Sequence, residues 1–244
     1  MKSYRIALAG NPNTGKSTLF NSLTGLRQHT GNWTGKTVIK AEGKYTFNQI
    51  DYHLIDLPGT YSLYSNSADE EVARDFILFE KPDVTVVVID ATSMERNLNL
   101  ALQVMEMTDK VVICINLIDE AERKGISIDE KLLTEKLGVP VVKISARNRK
   151  GYSKLLKTIS EIANGTIQTN PFQVTYTHEI EEKINILQPK IDRIFENDFP
   201  SRWIALRLLD GDENFIKTIL QKRNGSKEGK IDGLSIGATS ILVD

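Results

Sequence analysis

Ten residues into the chain the apolar run Tyr4-Arg5-Ile6-Ala7-Leu8-Ala9 ends in Gly10-Asn11-Pro12-Asn13-Thr14-Gly15-Lys16-Ser17. This fits the pattern G-x-x-x-x-G-K-[ST], set between a strand-like run and a helix-forming one. A strand that hands its carboxyl end to such a loop demands a mainly parallel sheet with helices on its faces. Glycines let backbone N–H groups turn toward a polyphosphate at a helix N-terminus, where unpaired donors and the helix dipole favour anions. Lys16 would then reach the β- and γ-phosphates, and the Ser17 hydroxyl would ligate Mg2+. The plain alternative is a helix N-cap after a tight turn.

The rest of the chain to about Gly165 agrees with that architecture. The runs HLIDLPG, VTVVVID, VVICINLID and VPVVKIS are separated by helix-forming stretches after Gly15, around Asp69–Phe79, and at Asn97–Met107, Asp129–Leu137 and Tyr152–Ala163. Two further strand-like pieces, TVIKAEGKYTF and QIDYHLID, are joined only by the short Phe47-Asn48 region, which permits antiparallel pairing alone. The expectation is an α/β fold with a six-stranded, mostly parallel sheet and one antiparallel edge strand. A polar Gly/Asn/Pro stretch at 164–171 reads as a linker. Beyond it, Ile180, Ile184, Leu187, Ile191 and Ile194 fall on one helical face, with Pro189 kinking the helix or dividing it in two. That stripe is either the core of an all-α subdomain or a surface that docks a partner helix. Two more helices are expected from about Pro200 to Leu209 and from Asp212 to Leu220. The expected domains are therefore 1–165, 166–224 and an unassigned tail, 225–244.

Composition narrows the function. Lys and Arg total 31 against 32 Asp and Glu, a formal charge of −1, so no nucleic-acid surface is expected. One cysteine, Cys114, and three histidines at positions without ligand or triad spacing suit neither an internal disulfide nor a four-ligand zinc site. The N-terminal apolar run is short for a signal peptide, and no run approaches the roughly 18–20 apolar residues of a membrane helix, so the chain as it stands reads as soluble.

Three further fragments lie at strand ends. Asp56-Leu57-Pro58-Gly59 puts a carboxylate beside the phosphate loop, where it can hold an Mg2+-bound water, and a backbone N–H at Gly59 that can sense a γ-phosphate. Asn116-Leu117-Ile118-Asp119 offers an amide that can tie loops together and a carboxylate that can accept from N1–H and the exocyclic amine of guanine, a donor pair adenine lacks. Ser145-Ala146-Arg147 supplies backbone N–H groups for guanine O6. The nucleotide contacts so read are Gly10, Asn11, Asn13, Thr14, Gly15, Lys16, Ser17, Thr18, Asp56, Gly59, Asn116, Asp119, Ser145, Ala146 and Arg147.

In this order the four fragments resemble a TRAFAC-type small GTPase domain. The segment Gly31-Asn32-Trp33-Thr34-Gly35-Lys36-Thr37-Val38 resembles the first switch of the bacterial ferrous-iron transporter family FeoB, with Thr34 where that family usually has Pro. The likeness continues in DLPGTYSL, in DEEVARDF, in DATSMERNLNL and, beyond the linker, in FPSRWIALRLLDGD.

The resemblance implies a P-loop GTPase domain followed by a helical, guanine-nucleotide-dissociation-inhibitor-like domain. Such a fragment would act at the cytoplasmic face of a prokaryotic membrane, on GTP and GDP. Its membrane-transport domain, absent from this sequence, would be its partner, and homo-oligomers are possible in the family. The implied catalytic set is Lys16, Thr37, Gly59 and Asn13. Mg2+ would be held by Ser17, Thr37 and, through water, Asp56; K+ would be held by Asn13, whose other reading is a turn residue.

Trp33 either packs over the nucleotide or stands exposed. Thr60 and Tyr61 follow Gly59 where Ras-type enzymes carry a water-orienting glutamine, so slow hydrolysis is expected. Arg27 is either a finger in cis or a solvated arginine. The rival functions are a guanine-nucleotide sensor whose hydrolysis does no transport work, and a ribosome-assembly GTPase, which would be expected to carry a basic appendage.

Overall fold

A computed structural model describes residues 2–25, 28–64, 67–212, 215, 216 and 218–220. Arg27 and the tail 225–244 lie outside the described residues. The chain divides into two compact units, Met1–Gln173 and Val174–Asp244.

The first unit is built on one sheet of strands β1 (Ser3–Gly10), β2 (Gln28–Asn32), β3 (Ile39–Phe47), β4 (Ile50–Asp56), β5 (Val84–Asp90), β6 (Val111–Asn116) and β7 (Val141–Lys143), ordered β2-β3-β4-β1-β5-β6-β7. Strands β4, β1, β5, β6 and β7 run parallel, while β3 pairs antiparallel with β4 and β2 antiparallel with β3. The sheet thus has seven strands rather than the expected six. The extra one, Gln-His-Thr-Gly-Asn, falls in the stretch read as a switch loop. Its His29, Thr30, Gly31 and Asn32 are all exposed, so it has no apolar alternation to betray it, and backbone pairing with β3 holds it. Between β3 and β4, Asn48 and Gln49 both take left-handed φ (50° and 63°), the geometry of a two-residue hairpin turn.

Helices α1 (Lys16–Thr24), α2 (Ala68–Asp75), α3 (Met94–Met107), α4 (Ile118–Arg123), α5 (Glu130–Leu137) and α6 (Tyr152–Ala163) follow the strands. Ser67 caps α2 by accepting from the Glu70 N–H, and acidic residues fill its first turn. The helix expected to run to Phe79 instead changes to a π-helical turn over Phe76–Glu80, closed by Lys81 at φ 43°. Strands β5 and β6 are buried on both faces, as Val- and Ile-rich parallel strands must be. Under α1, Leu19 and Phe20 join Ile6, Leu8, Tyr52 and Leu54 in one core, where the Tyr45 and Tyr52 rings stack 4.9 Å apart. Burial pushes the Cys114 thiol pKa up, so it serves as a small apolar filler. Asn170, on the expected linker, and Phe172, just past it, bond back into this unit, the Asn170 N–H to the Gly138 carbonyl and the Phe172 N–H to that of Leu137.

In the second unit α7 (His178–Phe195) runs through Pro189 as one helix, and α8 (Ser201–Leu209) packs on it. Of the expected stripe, Ile184, Leu187 and Ile191 are buried and Ile180 and Ile194 half-buried; Phe195, Trp203, Ile204 and Phe215 join the buried members in the core of this unit. Of the third expected helix, residues 215, 216 and 218–220 are helical among the described residues. Among the described residues no helix is long and apolar enough to cross a membrane.

Candidate functional site

Two glycines show how tightly the loop after β1 is held. A Cβ on Gly10 would stand 2.5 Å from the Val88 carbonyl oxygen. One on Gly15, at φ 79°, would stand 2.3 Å from the Asn116 side-chain nitrogen. Inside the loop the Thr14 hydroxyl donates to the Asn11 carbonyl at 3.0 Å. Asn11 is 2% exposed, and both polar atoms of its side chain are buried without a partner among the described residues. Asn13 is exposed at φ 67°, a left-handed conformation that by itself accounts for asparagine there.

Asp56, the last residue of β4, faces this loop. The Lys16 ammonium, 8% exposed, pairs with the Asp56 carboxylate and donates to the Leu57 carbonyl at 2.5 Å. Burial raises the Asp56 pKa, and the nearby Lys16 charge and the hydrogen bonds from Lys16 and Ser17 offset only part of that. A desolvated carboxylate beside an exposed hydroxyl is a donor set that fits a hard divalent cation. Gly59 follows within reach of the loop, its Cβ position 3.4 Å from Pro12, and the Thr60 N–H donates to the Gly10 carbonyl at 3.3 Å.

Asn116, at the end of β6, joins the two halves of the site. It is 1% exposed; its amide nitrogen donates to the Thr14 carbonyl at 2.9 Å, and its oxygen accepts the Ala146 N–H at 2.9 Å. The Ala91 N–H in turn donates to the Asn116 carbonyl. Three residues on, Asp119 lies in the first turn of α4, its side chain 29% exposed, with Asn148 at 3.5 Å and Arg123 at 3.9 Å. Ser145 is buried and its N–H pairs with the Lys150 carbonyl, while Arg147 is exposed. Thr18, Ala146, Arg147 and Arg149 line an open cleft of about 610 Å3. Lys16, Asp56, Asn116 and Ala146 thus stand at or just beyond the carboxyl ends of the parallel strands β1, β4, β6 and β7, the position where open α/β sheets take ligands.

Thr37 is not brought into this group. It lies exposed near the tip of the β2–β3 hairpin, and among the described residues none of its hydrogen bonds reaches Ser17 or Asp56. The hairpin instead leans on α2 and the π-helical turn: the Trp33 ring meets Phe76 edge-on at 5.5 Å, and Lys36 pairs with Glu71. Trp33 is thus half-buried against Phe76 rather than exposed. Sequence reasoning also passed over Ser22, Arg149 and Tyr152, which bond around Ala146 and belong to no short motif.

Comparison with known proteins agrees with this geometry. A family model described as ferrous iron transport protein B matches residues 4–159, and one for the cytosolic helical domain of FeoB matches 176–232. The Fe(2+) transporter FeoB of Methanocaldococcus jannaschii is 44% identical over 213 residues, which is 87% of this chain and 31% of that protein. A fusion of Fe(2+) transport protein A with FeoB from Porphyromonas gingivalis is 37% identical over 225 residues, 91% of this chain and 27% of that protein. The chain thus spans about a third or less of the curated relatives' length. Among solved structures, the apo cytosolic domain of T. maritima FeoB superposes with a TM-score of 0.80 at 35% identity, covering 98% of this chain and 93% of that one. The GMPPNP form of the same domain gives a TM-score of 0.79 at 34% identity, covering 98% and 92%.

Proposed function

The chain belongs to the ferrous iron transport protein B family, and from that premise we propose that its first unit binds GTP and hydrolyses it slowly, as the regulatory domain of a longer Fe(II) membrane transporter. The observation that supports this most is the Asn116 side chain, which ties the phosphate-loop carbonyl of Thr14 to the Ala146 N–H. That tie makes one continuous site from a polyphosphate cradle at Gly10–Thr18 to a base pocket at Asp119 and Ser145–Arg147. Lys16, held by Asp56 and the Leu57 carbonyl, is the cation that β- and γ-phosphate oxygens would draw away, while the Asp119 carboxylate reads the guanine donors.

Ser17, Thr37 and, through water, Asp56 would hold Mg2+, which offsets phosphate charge as the bond breaks. Thr37 reaches that ion only if the hairpin leaves α2, which makes the Trp33–Phe76 and Lys36–Glu71 contacts part of the switch. Asn13 would contribute to a K+ site, taking the place of an arginine finger. The helical unit follows as the dissociation-inhibitor-like domain, within a division at 1–165, 166–224 and 225–244, and the whole works at the cytoplasmic face of a prokaryotic membrane. Calorimetric titration of the chain with GDP and with ADP tests the base site. The expected result is GDP bound at least 100-fold more tightly, the scale of a lost buried polar pair; equal affinities would overturn it.

A further inference from the structure

The Ala146 backbone is held from both sides. Its N–H goes to Asn116, and its carbonyl lies 3.2 Å from the Tyr152 hydroxyl at the start of α6. That same hydroxyl contacts the Ser22 hydroxyl on α1, and the Arg149 guanidinium donates to the Ser22 carbonyl at 2.8 Å. Two hydroxyl protons serve three contacts, because the Ser22 oxygen also lies 2.9 Å from the Leu19 carbonyl. The Leu19 carbonyl already stands in the helical ladder of α1, so the arrangement that satisfies most acceptors runs from Ser22 to Tyr152 to Ala146. Burial raises the Tyr152 pKa, and the phenol stays a donor.

We infer that Tyr152 is a positioning residue for guanine recognition. Through the Ala146 carbonyl it sets the loop so that the following N–H, at Arg147, meets guanine O6, and through Ser22 it fixes that loop to the helix that carries Lys16 and Ser17. The inference rests on the guanine reading of the site. The Ala146 N–H, committed to Asn116, does not serve O6 in this arrangement, so the donor moves one residue on. The orientation of that donor depends on where the Ala146 carbonyl is anchored.

The test compares GDP with 6-thio-GDP, whose sulfur at position 6 is a weak acceptor, on the parent chain, Tyr152→Phe, Ser22→Ala and Asp119→Asn. Tyr152→Phe is expected to weaken GDP about five- to tenfold, the scale of one lost hydrogen bond, and 6-thio-GDP less than twofold. Ser22→Ala shifts GDP in the same direction by a smaller factor and carries the test if Tyr152→Phe does not show cooperative thermal unfolding. Unchanged GDP affinity in both variants, or an equal loss for both nucleotides, overturns the inference while leaving the site reading intact. Parental GDP affinity in Asp119→Asn overturns the site reading itself.

Discussion

Asp119 sits in the first turn of a six-residue helix, α4, entered through Leu117 in a left-handed conformation (φ 63°). Exchanging it for asparagine replaces an acceptor by a donor opposite the exocyclic amine. Asp119→Asn is expected to cost GTP about 2–4 kcal/mol and to favour XTP, read by competition binding. On the proposed reading Lys16 and Ser17 would meet groups present in both GDP and GTP, so Lys16→Ala and Ser17→Ala are expected to abolish Mg2+-dependent turnover and weaken both nucleotides. On the same reading Thr37 would respond to the γ-phosphate, and Thr37→Ala should slow turnover at least tenfold with GDP affinity within twofold of the parent. An equal loss of GDP affinity in Thr37→Ala would remove it from the switch. At this scale the motif residues were readable because each fragment has a fixed spacing. Tyr152 and Ser22 were not, since a hydroxyl that bonds a backbone carbonyl 6 residues away, and another hydroxyl 130 residues away, leaves no pattern in the sequence.

Among the elements, the parallel strands and the helices between them were legible from Val- and Ile-rich runs bounded by turns, because burial on both faces leaves only apolar choices. The edge strand β2 was not legible, for the opposite reason: an exposed polar strand is specified by its backbone partner. The π-helical turn at Phe76–Glu80 carries a helical composition, and its Phe76 packs against Trp33 and under the Arg5 guanidinium. In the second unit, α7 and α8 are clamped by Arg202, which holds Glu181 through two hydrogen bonds of 2.8 Å and also donates to the Val174 carbonyl. The guanidinium lowers the Glu181 pKa from 4.5 to about 2. A depressed carboxylate contributes stability that is present above its unfolded pKa and is lost as the pH falls through the folded one. The stability of the second unit is therefore expected to fall between about pH 4.5 and pH 2. Glu181→Gln should flatten that part of the profile, measured by thermal unfolding across the range; an unchanged slope would show that the clamp does not contribute.

Across the whole molecule, the proposed site is assembled from loops at the carboxyl ends of the parallel strands, and charge compensation during phosphoryl transfer would have to come from what those loops hold. The glutamine position is occupied by Thr60, buried with its N–H on the Gly10 carbonyl, and by Tyr61, which lies under the Arg96 guanidinium. K+ is therefore expected to accelerate GTP hydrolysis several-fold over Na+ at matched ionic strength, with most of that effect lost in Asn13→Ala. Equal rates in the two salts would leave the left-handed turn as the full reason for Asn13.

Phosphate release under single-turnover conditions tests whether this chain is a guanine-specific, Mg2+-dependent hydrolase. The parent chain is given GTP or ATP, with Mg2+ or with a chelator, beside Ser17→Ala. Slow phosphate release is expected from GTP only when Mg2+ is present, with none above background from ATP and none from Ser17→Ala. Release from ATP at the same rate, or undiminished release from GTP in the chelator or by Ser17→Ala, would contradict it.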